Sequence, residues 1–432
     1  MRNKLIISCL CLAGAASLAA QTAELYPLSV VEYKQRVLEY SQQIKQSAEQ
    51  RVAVQEAMKV AKTAFFPSID ASGNFQYRIN KYDMGIGGMP LSMKHETYTV
   101  EAGVAQPIYA GGSIYNNYKA AQVQTKIAEK AEELTTDNVI YTADMSYWGT
   151  AAQKEMYETM CQYVDIIQTL ANVLTDRFDD GLISKTDLLQ VQARLKDAEL
   201  QKINAYKSYQ LALQNLNVLM GNQPMDPVLV SDSISMFQVM PLQIGAEVAI
   251  NNRPEFSISQ LNIDYQKRQI NLAKSKYNPS LAVGFKENWG TLMLNMEGKT
   301  MFNSIVYASV SIPIFNWGAR FKAVNAQKAI LRSKEYELQS TRDQITQEVS
   351  KAWTNLTENT KQIAVAEANC RISEESLELN TFSYNEGKLP IIDVLSAQLS
   401  WIQSYSNMIQ SWYQQKISLA DYNKAVGLRR LQ

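Results

Sequence analysis

The chain is written twice. The segment Arg177-Phe178-Asp179-Asp180-Gly181-Leu182, followed by Thr186-Asp187-Leu188-Leu189, returns as Tyr384-Asn385-Glu386-Gly387-Lys388-Leu389, followed by Ile392-Asp393-Val394-Leu395. Gly181 and Gly387, Asp187 and Asp393, Gln192 and Gln398, Asn217 and Asn423, and Gly221 and Gly427 all stand 206 positions apart. Gln106-Pro107-Ile108-Tyr109-Ala110-Gly111-Gly112 is answered in the same frame by Ile312-Pro313-Ile314-Phe315-Asn316-Trp317-Gly318. A period this long is one half of an architecture; solenoid repeats run to roughly 20–50 residues.

Within each half the helices are too long for a globule. No proline lies between Pro107 and Pro224, and after Pro313 only Pro390 remains, beside the second tight turn. Residues from about 113 to 180 and from about 319 to 385 therefore read as single helices, each roughly 100 Å long at 1.5 Å per residue. Val349, Leu356, Ile363, Cys370, Leu377 and Tyr384 form a heptad row, with Leu331, Leu338, Ile345 and Ala352 beside it. Val123, Ile127, Leu134, Tyr141, Trp148 and Ala152 form a comparable seam in the first half. Such spacing calls for supercoiled neighbours. Each long helix turns at its glycine and returns as a shorter one, at about 185–219 and 391–426. Two further helices, about 29–63 and 254–276, precede Phe66-Pro67-Ser68 and Asn278-Pro279-Ser280.

After those prolines the period changes to two. Ile69, Ala71, Phe75 and Tyr77 alternate with Ser68, Asp70, Ser72, Asn74 and Gln76; Val100, Ala102 and Val104 alternate with Thr99, Glu101 and Gly103. Leu281, Val283, Phe285 and Trp289 alternate with Gly284, Lys286 and Asn288, and Val306, Ala308, Val310 and Ile312 with Tyr307, Ser309 and Ser311. Dyads of about ten residues with aromatics near their ends fit membrane barrel strands. Four strands, at about 68–78, 98–108, 281–289 and 305–313, are too few to close a barrel, because an open edge in lipid leaves backbone groups unpaired. Closure then requires several chains. Three give twelve strands over a quasi-sixfold wall of helices, and two or four are arithmetically allowed.

Composition sets the compartment and excludes other chemistries. Residues 1–20 read as a secretory signal: a basic Met1-Arg2-Asn3-Lys4, an apolar stretch and a small-residue cleavage site. Cys9 carries an alternative reading as a lipid-attachment cysteine. Lys plus Arg number 42 and Asp plus Glu 42, so no nucleic-acid partner is indicated. Beyond the signal only Cys161 and Cys370 remain, with a bridge between them left open. There is one histidine, His95, and no nucleotide loop, nucleophile elbow or zinc spacing, so neither catalysis nor a cofactor is expected. Met84, Met89 and Met93 in one outer loop and Met293, Met296 and Met301 in the other read first as loop packing; the rival reading makes them thioether ligands for Cu(I). No resident metal site is expected.

The strand exits at 106–112 and 312–318, the turn from Arg177-Phe178 to Gly181-Leu182, and Asn252-Arg253-Pro254-Glu255 together resemble the TolC family of outer-membrane efflux ducts, over essentially the whole mature chain. The resemblance implies a mainly α fold with a membrane β part. Specifically, it implies a homotrimer whose twelve-stranded barrel, with four strands per chain, continues into a long helical coiled-coil tunnel through the periplasm. On this reading residues 21–221 are the first repeat, 222–253 a connecting segment and 254–432 the second repeat. The implied function is a passive exit duct of a tripartite efflux pump or type I secretion system. Its partners are a periplasmic adaptor, an inner-membrane transporter and outer-membrane lipid. A soluble extracytoplasmic coiled-coil scaffold is the rival from a different class.

The resemblance also assigns residues. Arg177, Gly181, Leu182, Gly387 and Lys388 form an adaptor-docking tip, with Asp180 where the family has Val. Thr186, Asp187 and Tyr384 match a family latch, but Leu389 stands where its Arg would be. Asp393 matches one acidic ring at the constriction and Ser396 replaces the other. Converging carboxylates in a narrow throat attract cations. The plainer role for Asp187 and Asp393 is capping at a helix N-terminus.

Overall fold

A computed structural model describes residues 27–80, 83–86, 89–92, 95–236, 239–291 and 300–428. The proposed signal, Cys9, Met93, Met293 and Met296 lie outside the described residues. No helix among the described residues is long and apolar enough to cross a membrane.

In chain order the first half comprises β1 (Pro27–Leu28), α1 (Val30–Tyr40), α2 (Gln42–Thr63), β2 (Ser68–Tyr77), β3 (Asp83–Ile86), β4 (Met89–Ser92), β5 (Glu96–Ala110), α3 (Ser113–Asp179) and α4 (Lys185–Met220). The connection holds β6 (Leu229–Val230) and α5 (Ala246–Asn252). The second half comprises α6 (Pro254–Ser275), β7 (Ser280–Gly290), β8 (Met301–Ser311), α7 (Ala319–Asn385) and α8 (Ile391–Ala425). The two long helices stand where the proline-free, heptad-bearing stretches place them. The helix expected over 29–63 is interrupted at Ser41, whose non-helical backbone ends α1 and whose Oγ accepts from the Ile44 amide to start α2.

The main sheet is antiparallel in the order β2-β5-β7-β8, so the strands of the two halves meet in its middle. Ile69, Val104, Phe285 and Val306 are partners in register across all four strands, giving one continuous exposed apolar row. The next row, Asp70, Gly103, Lys286 and Ile305, faces the other way, and Lys286 reaches Glu101 at 3.4 Å on that side. Glu287 interrupts the apolar face and accepts a 2.5 Å hydrogen bond from Ser304. β5 is longer than expected because β7 pairs with it as far as Ala110, past a bulge at Pro107–Tyr109. β8 ends at Ser311, short of the expected 313, and its outer edge, like that of β2, pairs with nothing among the described residues.

The helices beneath repeat the strand order, α2 against α3, α3 against α6 and α6 against α7. Farther down, α3 packs on α4, α7 on α8, and α3 on α8. At mid-height β1 pairs with β6, and Tyr147 donates to Asp232 Oδ2 at 2.7 Å. Arg253, buried and capping α6 with Pro254 at its first turn, bridges Glu255 and Glu348. Lys416 is enclosed by Trp148 and the Met236 carbonyl; burial pushes its ammonium down to about 8. Cys161 and Cys370 are both free thiols, Cys370 buried as its heptad position predicts.

Candidate functional site at the hairpin tips

Far from the sheet the two helical hairpins end side by side, and their turns are copies. In the first, Leu182 donates to the Arg177 carbonyl at 2.8 Å and Gly181 to Phe178 at 2.9 Å. In the second, Lys388 donates to Ser383 and Gly387 to Tyr384, both at 2.9 Å. This pattern satisfies the last carbonyls of each long helix and needs a left-handed residue, supplied by Gly181 at φ 76° and Gly387 at φ 72°. The ends are held together by apolar packing that joins Ile167, Leu174, Leu188 and Val191 to Ile391, Val394, Leu395 and Trp401. Each such side chain contributes about 1.5–3 kcal/mol when removed from water.

The return helices begin differently. In α4, Ser184 is the N-cap: its Oγ accepts from the Asp187 amide at 3.2 Å and donates to Asp187 Oδ2 at 2.9 Å. In α8 the N-cap is Pro390, which has no side chain to offer, and the half-buried Asp393 carboxylate has no partner among the described residues. Neither aspartate is itself the N-cap: both stand in the first turn of their helices, where a negative charge meets the helix dipole, and Asp187 alone joins the cap hydrogen bonds. Thr186 is exposed and makes no side-chain hydrogen bond among the described residues.

Tyr384 is 8% exposed inside the shared core, and the Arg177 guanidinium lies 5.4 Å from its ring centroid. Arg177 Nη2 also donates to Asn385 Oδ1 at 3.3 Å. The first hairpin therefore grips the second through Arg177, a residue that sequence reasoning set among the docking positions. Thr186 and Asp187 make no described contact with Tyr384. Asn385 was missed, because nothing in the sequence marks a partner lying 208 positions from Arg177. Leu182 remains 71% exposed, and Gly181, Gly387 and Lys388 are exposed with it.

A family model described as "Outer membrane efflux protein" matches residues 34–222 and 246–428. The outer membrane protein TolC of Vibrio cholerae is 19% identical over 422 residues, covering 95% of this chain and 93% of that protein. The cobalt-zinc-cadmium resistance protein CzcC of Cupriavidus metallidurans is 22% identical over 335 residues, covering 74% and 76%. Crystal structures of CusC, described as a transmembrane channel, superpose with a TM-score of 0.79 at 14% identity, covering 93% of this chain and 92% of that one. Family members are channels rather than enzymes. These matches, over both repeats and the sheet, set aside the scaffold reading and locate the sheet in the outer membrane, with the hairpins in the periplasm. The chain belongs to the outer membrane efflux protein family.

Proposed function

We propose that three copies of this chain form a passive exit duct that opens at its hairpin tips when a periplasmic adaptor docks there, with an inner-membrane transporter supplying the energy. The observation that carries the assembly is the pair of unpaired sheet edges, β2 and β8, flanking a continuous apolar row. In lipid each unsatisfied backbone group costs several kcal/mol, so edges must meet edges of other copies. Three copies give twelve strands, the number the family resemblance implies. The helices agree: Val365, Ile372 and Leu379, seven residues apart on α7, are exposed, as are Leu211 and Val218 on α4. A heptad stripe without a partner among the described residues needs one from a neighbour.

At the tip, Leu182 with Asp179 and Asp180 on one turn, and Glu386 with Lys388 on the other, offer the adaptor a polar surface around one exposed leucine. Asp393 supplies the constriction's free carboxylate, and Arg177 on Tyr384 holds the hairpins closed. Native mass spectrometry of the full chain extracted from outer membranes in mild detergent tests the assembly. A trimer mass is expected; a folded monomer with intact strands overturns it.

A further inference from the structure

Below the sheet, α2, α3 and α6 enclose a cleft of about 800 Å³ that the transport reading leaves unused. Four cations, Lys119, Lys126, Lys267 and Arg268, line it against two carboxylates, Glu129 and Asp264. Lys267 is matched by Asp264 at 3.0 Å, and Lys119 donates to the neutral Gln122 at 3.0 Å. Lys126 and Arg268 have no ion pair or hydrogen bond among the described residues. With Met58 and Val123 also in the lining, the cleft combines apolar wall with uncompensated positive charge.

Its orientation follows from its neighbours. Tyr115, Tyr118, Lys119, Gln122 and Lys126 recur at helical spacing and share one stripe of α3. Tyr118 meets Phe65 edge to face at 5.9 Å, and the Phe65 carbonyl accepts from Gln106. Gln106 is the register partner of Val283, on the apolar face of the sheet. The stripe therefore looks outward, on the side that faces lipid higher up. Lys119 lies six residues into α3 and Arg268 seven from the end of α6, each about 10 Å below the sheet at 1.5 Å per residue, whereas Lys126, thirteen residues in, marks the cleft's lower end about 20 Å down. The headgroup zone beyond the hydrocarbon is roughly 5–8 Å deep per leaflet, and long cationic side chains reach upward into it.

We propose that this cleft binds the phosphate headgroup of an anionic glycerophospholipid from the periplasm-facing leaflet of the outer membrane. The inference rests on the outer-membrane position of the sheet. Full-length protein is reconstituted in nanodiscs containing phosphatidylcholine and phosphatidylglycerol, and the lipids that stay bound are counted by native mass spectrometry. Phosphatidylglycerol is expected to be retained over phosphatidylcholine, and Lys119→Gln with Arg268→Gln to lower its affinity at low salt by roughly fivefold per cation removed. The charge-keeping pair Lys119→Arg and Arg268→Lys should hold it like the parent. Neither position touches a sheet edge or hairpin tip, so the trimer mass and conductance should stay unchanged, which separates failure here from failure of the duct reading. Equal retention of both lipids, or equal loss in the charge-keeping pair, overturns the proposal. So does complete displacement by glycerol 3-phosphate, which marks a site for soluble phosphates, or charge-dependent binding of peptidoglycan fragments in place of lipid.

Discussion

α3 and α7 hold the same place in the two repeats and match in length and ends, and they differ in what covers them. Both run for 67 residues, both start after a left-handed glycine, and both end in the same turn. Yet α3 buries residues from Ala120 to Leu174, whereas the buried positions of α7 are confined to Ile345, Val349, Ala352, Leu356, Cys370 and Tyr384. The cause is topological. α3 is flanked by α2 and α6 above and by α4 and α8 below, while α7 has neighbours on one side only. Local signals set where a helix starts and stops; burial is decided by position in the wall, and the bare side of α7 measures what other copies must cover.

The largest expected effect tests this contrast directly. Leu174 on α3 is fully buried, so Leu174→Ala should lower the unfolding free energy by roughly 3–5 kcal/mol, from lost transfer energy and the cavity left behind. Leu379 on α7 is 60% exposed, and Leu379→Ala should change the subunit's own stability by less than about 0.5 kcal/mol. Its effect should appear as weaker trimer in a detergent dilution series. Denaturant unfolding and trimer mass measured on both variants decide the matter: equal destabilisation of the subunit would break the comparison.

The junctions above these two helices repeat the contrast within two residues. Gly111 and Trp317 are counterparts, and both adopt positive φ, 66° and 47°. A Cβ at Gly111 would run into the Ser275 carbonyl oxygen where α6 returns to the sheet. Trp317 sits at the edge of the chain, where no helix closes over it, and is 91% exposed. Gly111→Ala should therefore cost about 2 kcal/mol, combining left-handed strain with the backbone collision. Trp317→Gly should relieve strain and leave thermal stability unchanged or raised. A larger loss at Trp317 than at Gly111 would mean that the second junction is the tighter one.

The same contrast separates what was legible from what was not. Helix lengths and turns could be read because prolines, heptads and left-handed glycines act within a few residues. The strands could be read because their faces meet different solvents. The break at Ser41 carries neither Gly nor Pro, and the pairing of Pro27-Leu28 with Leu229-Val230 is too short to show a period. At the tip, Asp187 and Asp393 just past their turns announced two helix N-termini, while the cap itself, Ser184, emerged only with the structure. The contact of Arg177 with Tyr384 joins two halves of the chain and depends on how the hairpins pack, which no local pattern encodes.

The smallest effects in free energy carry the sharpest functional contrast. Asp187 and Asp393 are counterparts at the start of α4 and α8, but Asp187 is engaged by Ser184 and Asp393 is not. Asp187→Ala removes only the carboxylate's part in this cap, since the Ser184 Oγ still accepts the residue 187 amide. It should lower stability by about 0.5–1 kcal/mol without altering divalent-cation block of single-channel current. Asp393→Ala should leave stability within about 0.5 kcal/mol and weaken that block, because in the proposed assembly it withdraws three free carboxylates from the throat. Thermal unfolding and planar-bilayer recordings of the two variants give a two-by-two outcome. Unchanged block in Asp393→Ala removes it from the constriction, and weakened block in Asp187→Ala would mean that a cap-bound carboxylate still faces the cations.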